Sequence, residues 1–113
     1  MIEEKILNYL AGQLEVPVRM EVPEDAPDEF VVIEKTGSGM ENYIYTATFA
    51  VKSYAPSMYE AAALNEMVKD AMSGLTTLPC VSRSALNSDY NFTDTTEKRY
   101  RYQAVFDIVH TEV

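Results

Sequence analysis

The chain has 113 residues, 47% of them hydrophobic, and carries 18 acidic against 9 basic side chains for a formal net charge of −9. That length suits one domain with a modest core, so residues 1–113 are expected to fold as a single unit. The acidic balance excludes the basic footprint that grips duplex DNA and disfavours an acidic membrane surface.

Ile2, Ile6, Leu10 and Leu14 recur every fourth position, which predicts an amphipathic helix over about residues 2–15. Pro17 ends it, because proline lacks the N–H and clashes with the preceding turn. Three prolines then punctuate "VPVRMEVPEDAPDE". A short edge strand near 18–22 and a polar loop are expected there, since proline at strand ends suits an edge. "EFVVIEKT" (29–36) is rich in β-branched residues and reads as a strand. "GSGMEN" (37–42) reads as a hairpin turn, because glycines separate two apolar runs. The next strand starts with "YIYTATFAV" (43–51) and runs to about Ser53.

Residues 57–75 give the strongest helix signal. Ser57 and Glu60 have capping-box spacing. Ala61, Leu64, Val68, Ala71 and Leu75 form the expected buried stripe, flanked by Met67 and Met72, and Gly74 stands where a left-handed terminating residue is expected. "TTLP" reads as a linker, "CVSRSALNS" (80–88) as a strand and "DYNFTDTTEK" (89–98) as a polar turn. The last strand covers about 99–111 and contains "YRYQAVFDI". The order α-β-β-β-α-β-β predicts an α+β fold, a single mostly antiparallel twisted sheet with both helices on one face.

Two of these strands share the pattern Tyr-x-Tyr-x-Ala-x-Phe-x-aliphatic. With a side-chain period of two, Tyr43, Tyr45, Phe49 and Tyr100, Tyr102, Phe106 form aromatic rows expected beneath the helices. Ala47 and Ala104 leave room for a helix to approach. The repeat reads as a shared packing solution rather than as a base-stacking platform, because the neighbouring positions lack basic residues.

Catalytic chemistry needs a nucleophile, a base and an orienting group together. His110, the one histidine, shares the parity of the aromatic row, and Cys80 follows a proline at a strand start. Packing roles are the expectation for both, and no local motif pairs them. A single cysteine allows no internal disulfide and fits a reducing compartment. "TGSGMEN" lacks the Gly-Lys-Ser/Thr ending of a phosphate loop. Asp89, Asn91 and Thr93 have the first spacings of a calcium loop, but Asp94 and Tyr100 stand where glycine and glutamate are needed. Asn91-Phe92-Thr93 matches a glycosylation acceptor without a secretory context. "MIEEKILNYLAGQLE" is charged from its third residue, unlike a signal peptide. No stretch reaches the roughly 18 apolar residues of a membrane span. No cofactor, metal or catalytic residue is expected, and the expected location is the cytoplasm.

"DEFVVIEKTGSGMENYIYTATFAVKSYAPSMYEAAALNEMVKDAMSGL" and "LNSDYNFTDTTEKRYRYQAVFDIVH" resemble the tail terminator, or tail-to-head joining, proteins of long-tailed bacteriophages and prophages. The most specific pieces are "SYAPSMYEAAALNE" and "YNFTD…RYQAVFDI". Both are packing motifs. The resemblance implies a virion tail protein assembled in the bacterial cytoplasm as a ring, typically of six copies. Such a ring caps the tail tube, stops its polymerisation and presents a surface to the head connector or head-closure protein. Its implied partners are its own copies, the tail-tube protein and the connector, with DNA only as passing cargo, and no enzymatic step is implied.

On that reading the acidic proline loop (Glu24, Asp25, Asp28, Glu29) and the 88–98 turn (Asp89, Asp94, Glu97) are candidate contacts. Arg83, Arg99 and Arg101 are candidate partners for acidic neighbours. The alternative for all ten is ordinary surface charge. Rival functions are another head–tail joining or tail-assembly role, or a small α+β ligand-binding module or enzyme.

Overall fold

The computed structural model describes residues 1–94 and 99–112. Its elements are α1 (Ile2–Gln13), β1 (Val18–Arg19), β2 (Phe30–Glu41), β3 (Ile44–Ala55), α2 (Met58–Ser73), β4 (Val81–Asn91) and β5 (Tyr100–His110), with a 3-10 turn at Leu75–Thr77. The α+β order α-β-β-β-α-β-β holds, and the five strands form one mostly antiparallel sheet.

α1 buries Ile2, Ile6 and Leu10, and Leu14 turns extended at its end while its N–H still donates to Leu10. α2 begins as the capping-box spacing requires. Ser57 is extended, its Oγ accepts the Glu60 N–H at 3.2 Å, and the same hydroxyl donates to the Glu60 carboxylate at 3.0 Å. Ala61, Leu64, Val68 and Met72 are buried, with Leu75 following in the 3-10 turn. Met72 therefore replaces Ala71 in the fully buried stripe, and Met67 is exposed.

Gly74 does not terminate α2 in the left-handed region, because its φ is −93°. The position is small for another reason. A Cβ there would lie 2.8 Å from the Tyr9 hydroxyl. That hydroxyl donates to the Ala71 carbonyl at 2.7 Å and so ties α1 to the end of α2. Burial, then the nearby Asp70 charge, pushes the Tyr9 pKa up.

Strand order is β1-β2-β3-β5-β4. β1 runs parallel to β2, and every other neighbouring pair is antiparallel. The two similar strands are direct neighbours, with Phe49 opposite Phe106. Both rings are buried on the helix face, beside Val31, Ile33, Ala47, Val51, Ala104 and Ile108. The outer members of the aromatic rows behave differently. Tyr43 and Tyr100 are exposed, and Tyr45 and Tyr102 are half-buried.

Length explains this. β2 and β3 have 12 residues each and span about 40 Å, whereas the 16 residues of α2 span about 24 Å. The sheet overhangs its helices, and the molecule measures 45 × 24 × 23 Å. A smaller cluster of Phe30, Val32 and Tyr54, capped by Ala26, lies on the opposite face at one end.

Candidate interaction surfaces

The longest overhang is the β2–β3 arm. "GSGMEN" is not a turn: Gly37 to Glu41 continue β2, and no glycine has positive φ. One extra residue, Thr36, bulges between Lys35 and Gly37. The bulge changes which side chains face the helices. The true turn is Asn42-Tyr43, between paired Glu41 and Ile44, with φ of 52° and 64°. A two-residue hairpin favours such left-handed pairs because they match the strand twist. Asn tolerates the conformation, but a bulky Tyr does so at a steric cost.

Tyr43 is 82% exposed, and Met40 and Ile44 beside it are also exposed. Lower on the arm, Tyr45 stacks on His110 at 5.5 Å. His110 Nδ1 donates to the Thr111 carbonyl at 2.7 Å, the only role a carbonyl permits. Lys35 anchors the arm's root to α1 through Glu3 at 3.3 Å. Burial raises the Glu3 pKa, but a bond from its own backbone N–H, together with the hydrogen bond and charge of Lys35, outweighs it and leaves the pKa lowered.

The opposite end is built on arginine. Arg101 Nε donates to the Phe92 carbonyl at 2.9 Å and Nη1 to the Tyr54 hydroxyl at 3.0 Å. The same guanidinium lies 4.4 Å from the Phe92 ring centre, and Arg99 lies 5.7 Å from that of Phe30. Phe30 and Tyr54 stack at 4.5 Å. Arg99 and Arg101 thus make contacts within the fold itself. The sequence pattern ends this strand at about Ser53, whereas β3 runs to Ala55 and carries Tyr54 into the cluster.

Asp89 also has partners within the chain. It accepts from Asn65 at 2.9 Å and Lys69 at 3.0 Å, fastening β4 to α2. Hydrogen bonds from Lys69 to Glu66 and Asp89 raise the Lys69 pKa. The expected 88–98 turn begins later than predicted, because Ser88 to Asn91 belong to β4. Asn91 accepts from the Thr93 N–H and hydroxyl, a local turn bond rather than an open ligand position. Asp94 and Arg99 form an isolated antiparallel backbone bridge, and Glu97 lies outside the described residues.

Glu24, Asp25 and Asp28 are exposed on the proline loop, and Arg83 is exposed on β4. Glu29 is half-buried and rims a groove of about 230 Å³ with Glu15 and Glu60 over Leu14, Ala63 and Met67. The nine described charges therefore do not converge on one site.

Cys80 and His110 share no hydrogen bond among the described residues. The Cys80 carbonyl instead accepts the Thr111 N–H at 2.8 Å. No group of three or more His, Cys, Asp or Glu among the described residues could hold a metal ion. No helix among them is long and apolar enough to cross a membrane. No protein-family model matches the chain, and no curated protein matches it.

Proposed function

We propose that this chain is a structural tail-completion protein that caps a phage or prophage tail tube, ends its polymerisation and offers a docking surface to the head connector. The observation that carries the reading is the one-sided layer with an overhanging arm. Two helices stabilise the middle of the sheet, the Met40–Ile44 tip extends past it with exposed apolar groups, and Tyr90 and Phe92 expose apolar rings at the other end. A protein whose work is contact with other proteins at several places needs such surfaces. The resemblance of the 28–75 and 86–110 segments to tail terminators supports the same role.

The net charge of −9 suits a ring through which DNA passes, because repulsion of phosphates lowers non-specific retention. No enzymatic step, cofactor or membrane belongs to this reading, and assembly takes place in the bacterial cytoplasm. The test is addition of the full chain to purified tail tubes, followed by electron microscopy. Capped ends and a halt to elongation are expected, and tubes that grow past the added protein overturn the reading.

A further inference from the structure

Among the described residues, both flanks of the sheet carry backbone without a neighbouring strand. β1 pairs only with Val31 and Val32, so β2 from Ile33 onward has β3 alone beside it. β4 has β5 alone. Open ladders of this kind are templates for another strand. We propose that Ile33–Met40 of β2 pairs antiparallel with Val81–Asp89 of β4 in a second copy, head to tail.

Direction permits it. β2 to β3, β3 to β5 and β5 to β4 are each antiparallel, so β2 and β4 run oppositely. A neighbour in the same orientation brings its β4 to this β2 in antiparallel sense. Level permits it too. Gly39, Thr46, Val109 and Arg83 form one row across the sheet, and so do Ser38, Ala47, Ile108 and Ser84. Gly37 shares its row with Ala85, and Lys35 with Leu86. The two open edges therefore meet without a slide along the strands. This alignment sets Gly37–Gly39, free of bulges, against Arg83–Ala85, also free of bulges. Gly37 then faces Ala85 and Ser38 faces Ser84, both small pairs, Gly39 leaves room for Arg83, and a Cβ at Gly37 has nothing within 4 Å.

Charge gives the pairing its sense. Glu41 and Arg83 are both exposed, and neither makes a hydrogen bond or ion pair among the described residues. Glu41 lies two residues beyond Gly39, on the same face, and Gly39 shares its row with Arg83. A neighbour's Arg83 then reaches Glu41 diagonally, a separation long side chains span. The interface is heterologous, so repeated pairing produces a ring when the rotation closes. This deepens the ring reading above, and its test reads pairing alone. A chain that pairs but fails to cap tubes sinks only that reading, and one that caps without pairing sinks only this one.

The test uses the full chain with Cys80→Ser, carrying Gly37→Cys, Ala85→Cys or both, under mild oxidation at the highest soluble concentration. Within one chain the two positions are three strand spacings apart, about 14 Å, beyond an internal disulfide. The double variant is expected to form ladders of linked copies. A mixture of the single variants is expected to stop at dimers, and either single alone to stay unlinked. Arg83→Glu or Glu41→Arg in the double-cysteine chain lowers the linked fraction about fivefold, and the two together restore it. Unchanged unfolding midpoints verify that each variant folds. No linkage between folded chains, dimers from one single variant alone, or no recovery with both charges exchanged overturns the proposal.

Discussion

At the residue scale, Gly74 shows how a reason can differ from its sequence signal. A methyl group at this position meets the Tyr9 hydroxyl at 2.8 Å. Gly74→Ala is expected to destabilise the fold by about 1–3 kcal/mol, the usual range for overpacking. In a Tyr9→Phe background the obstructing oxygen is gone, and the same substitution becomes milder. A double-mutant cycle by urea unfolding measures this, and equal losses in both backgrounds would discard the clash. The sequence marks Gly74 as a helix end, which it is, but Tyr9 lies far away along the chain. No local rule could bring the two together. Asp89 is a similar case. It reads as a loop charge, and only the packing of β4 on α2 presents it to Asn65 and Lys69.

Elements were legible where the signal was local. The capping box at Ser57 and Glu60, the four-residue spacing of α1 and the parity that buries Phe49 and Phe106 all needed only neighbours in sequence. "GSGMEN" misled because glycine and serine resemble a turn, whereas strand pairing continues to Glu41 against Ile44. The turn residue with the least suitable side chain is Tyr43, at a φ of 64°. Tyr43→Gly is expected to raise stability by about 1 kcal/mol by removing the left-handed penalty. It also removes an exposed ring from the arm tip, which under the proposed role reduces tube capping. A higher urea midpoint with weaker capping is the expected pair of results, and a lower midpoint contradicts the strain argument. The candidate interaction residues were the least legible, since which charges turn inward depends on bulges and on overhang.

For the whole molecule, pH acts on the tie between α1 and the sheet. The Glu3 pKa is lowered in the folded chain, so its contribution is full above the unfolded value. It is lost as pH falls through the folded one. The stability difference between wild type and Lys35→Met should therefore be largest near neutrality and shrink in acid. Thermal unfolding across that range reads it, and a constant difference would show that the carboxylate is not involved. Net charge changes as well, but the comparison of two chains at each pH removes most of that common effect. The sheet's overhang has one more consequence. Two residues inserted in each strand of the arm lengthen its reach by about 7 Å and keep every side chain on its original face. The helix-covered middle is left untouched. Reach and stability are thus separable, with the core held constant while the arm is lengthened or shortened in two-residue steps.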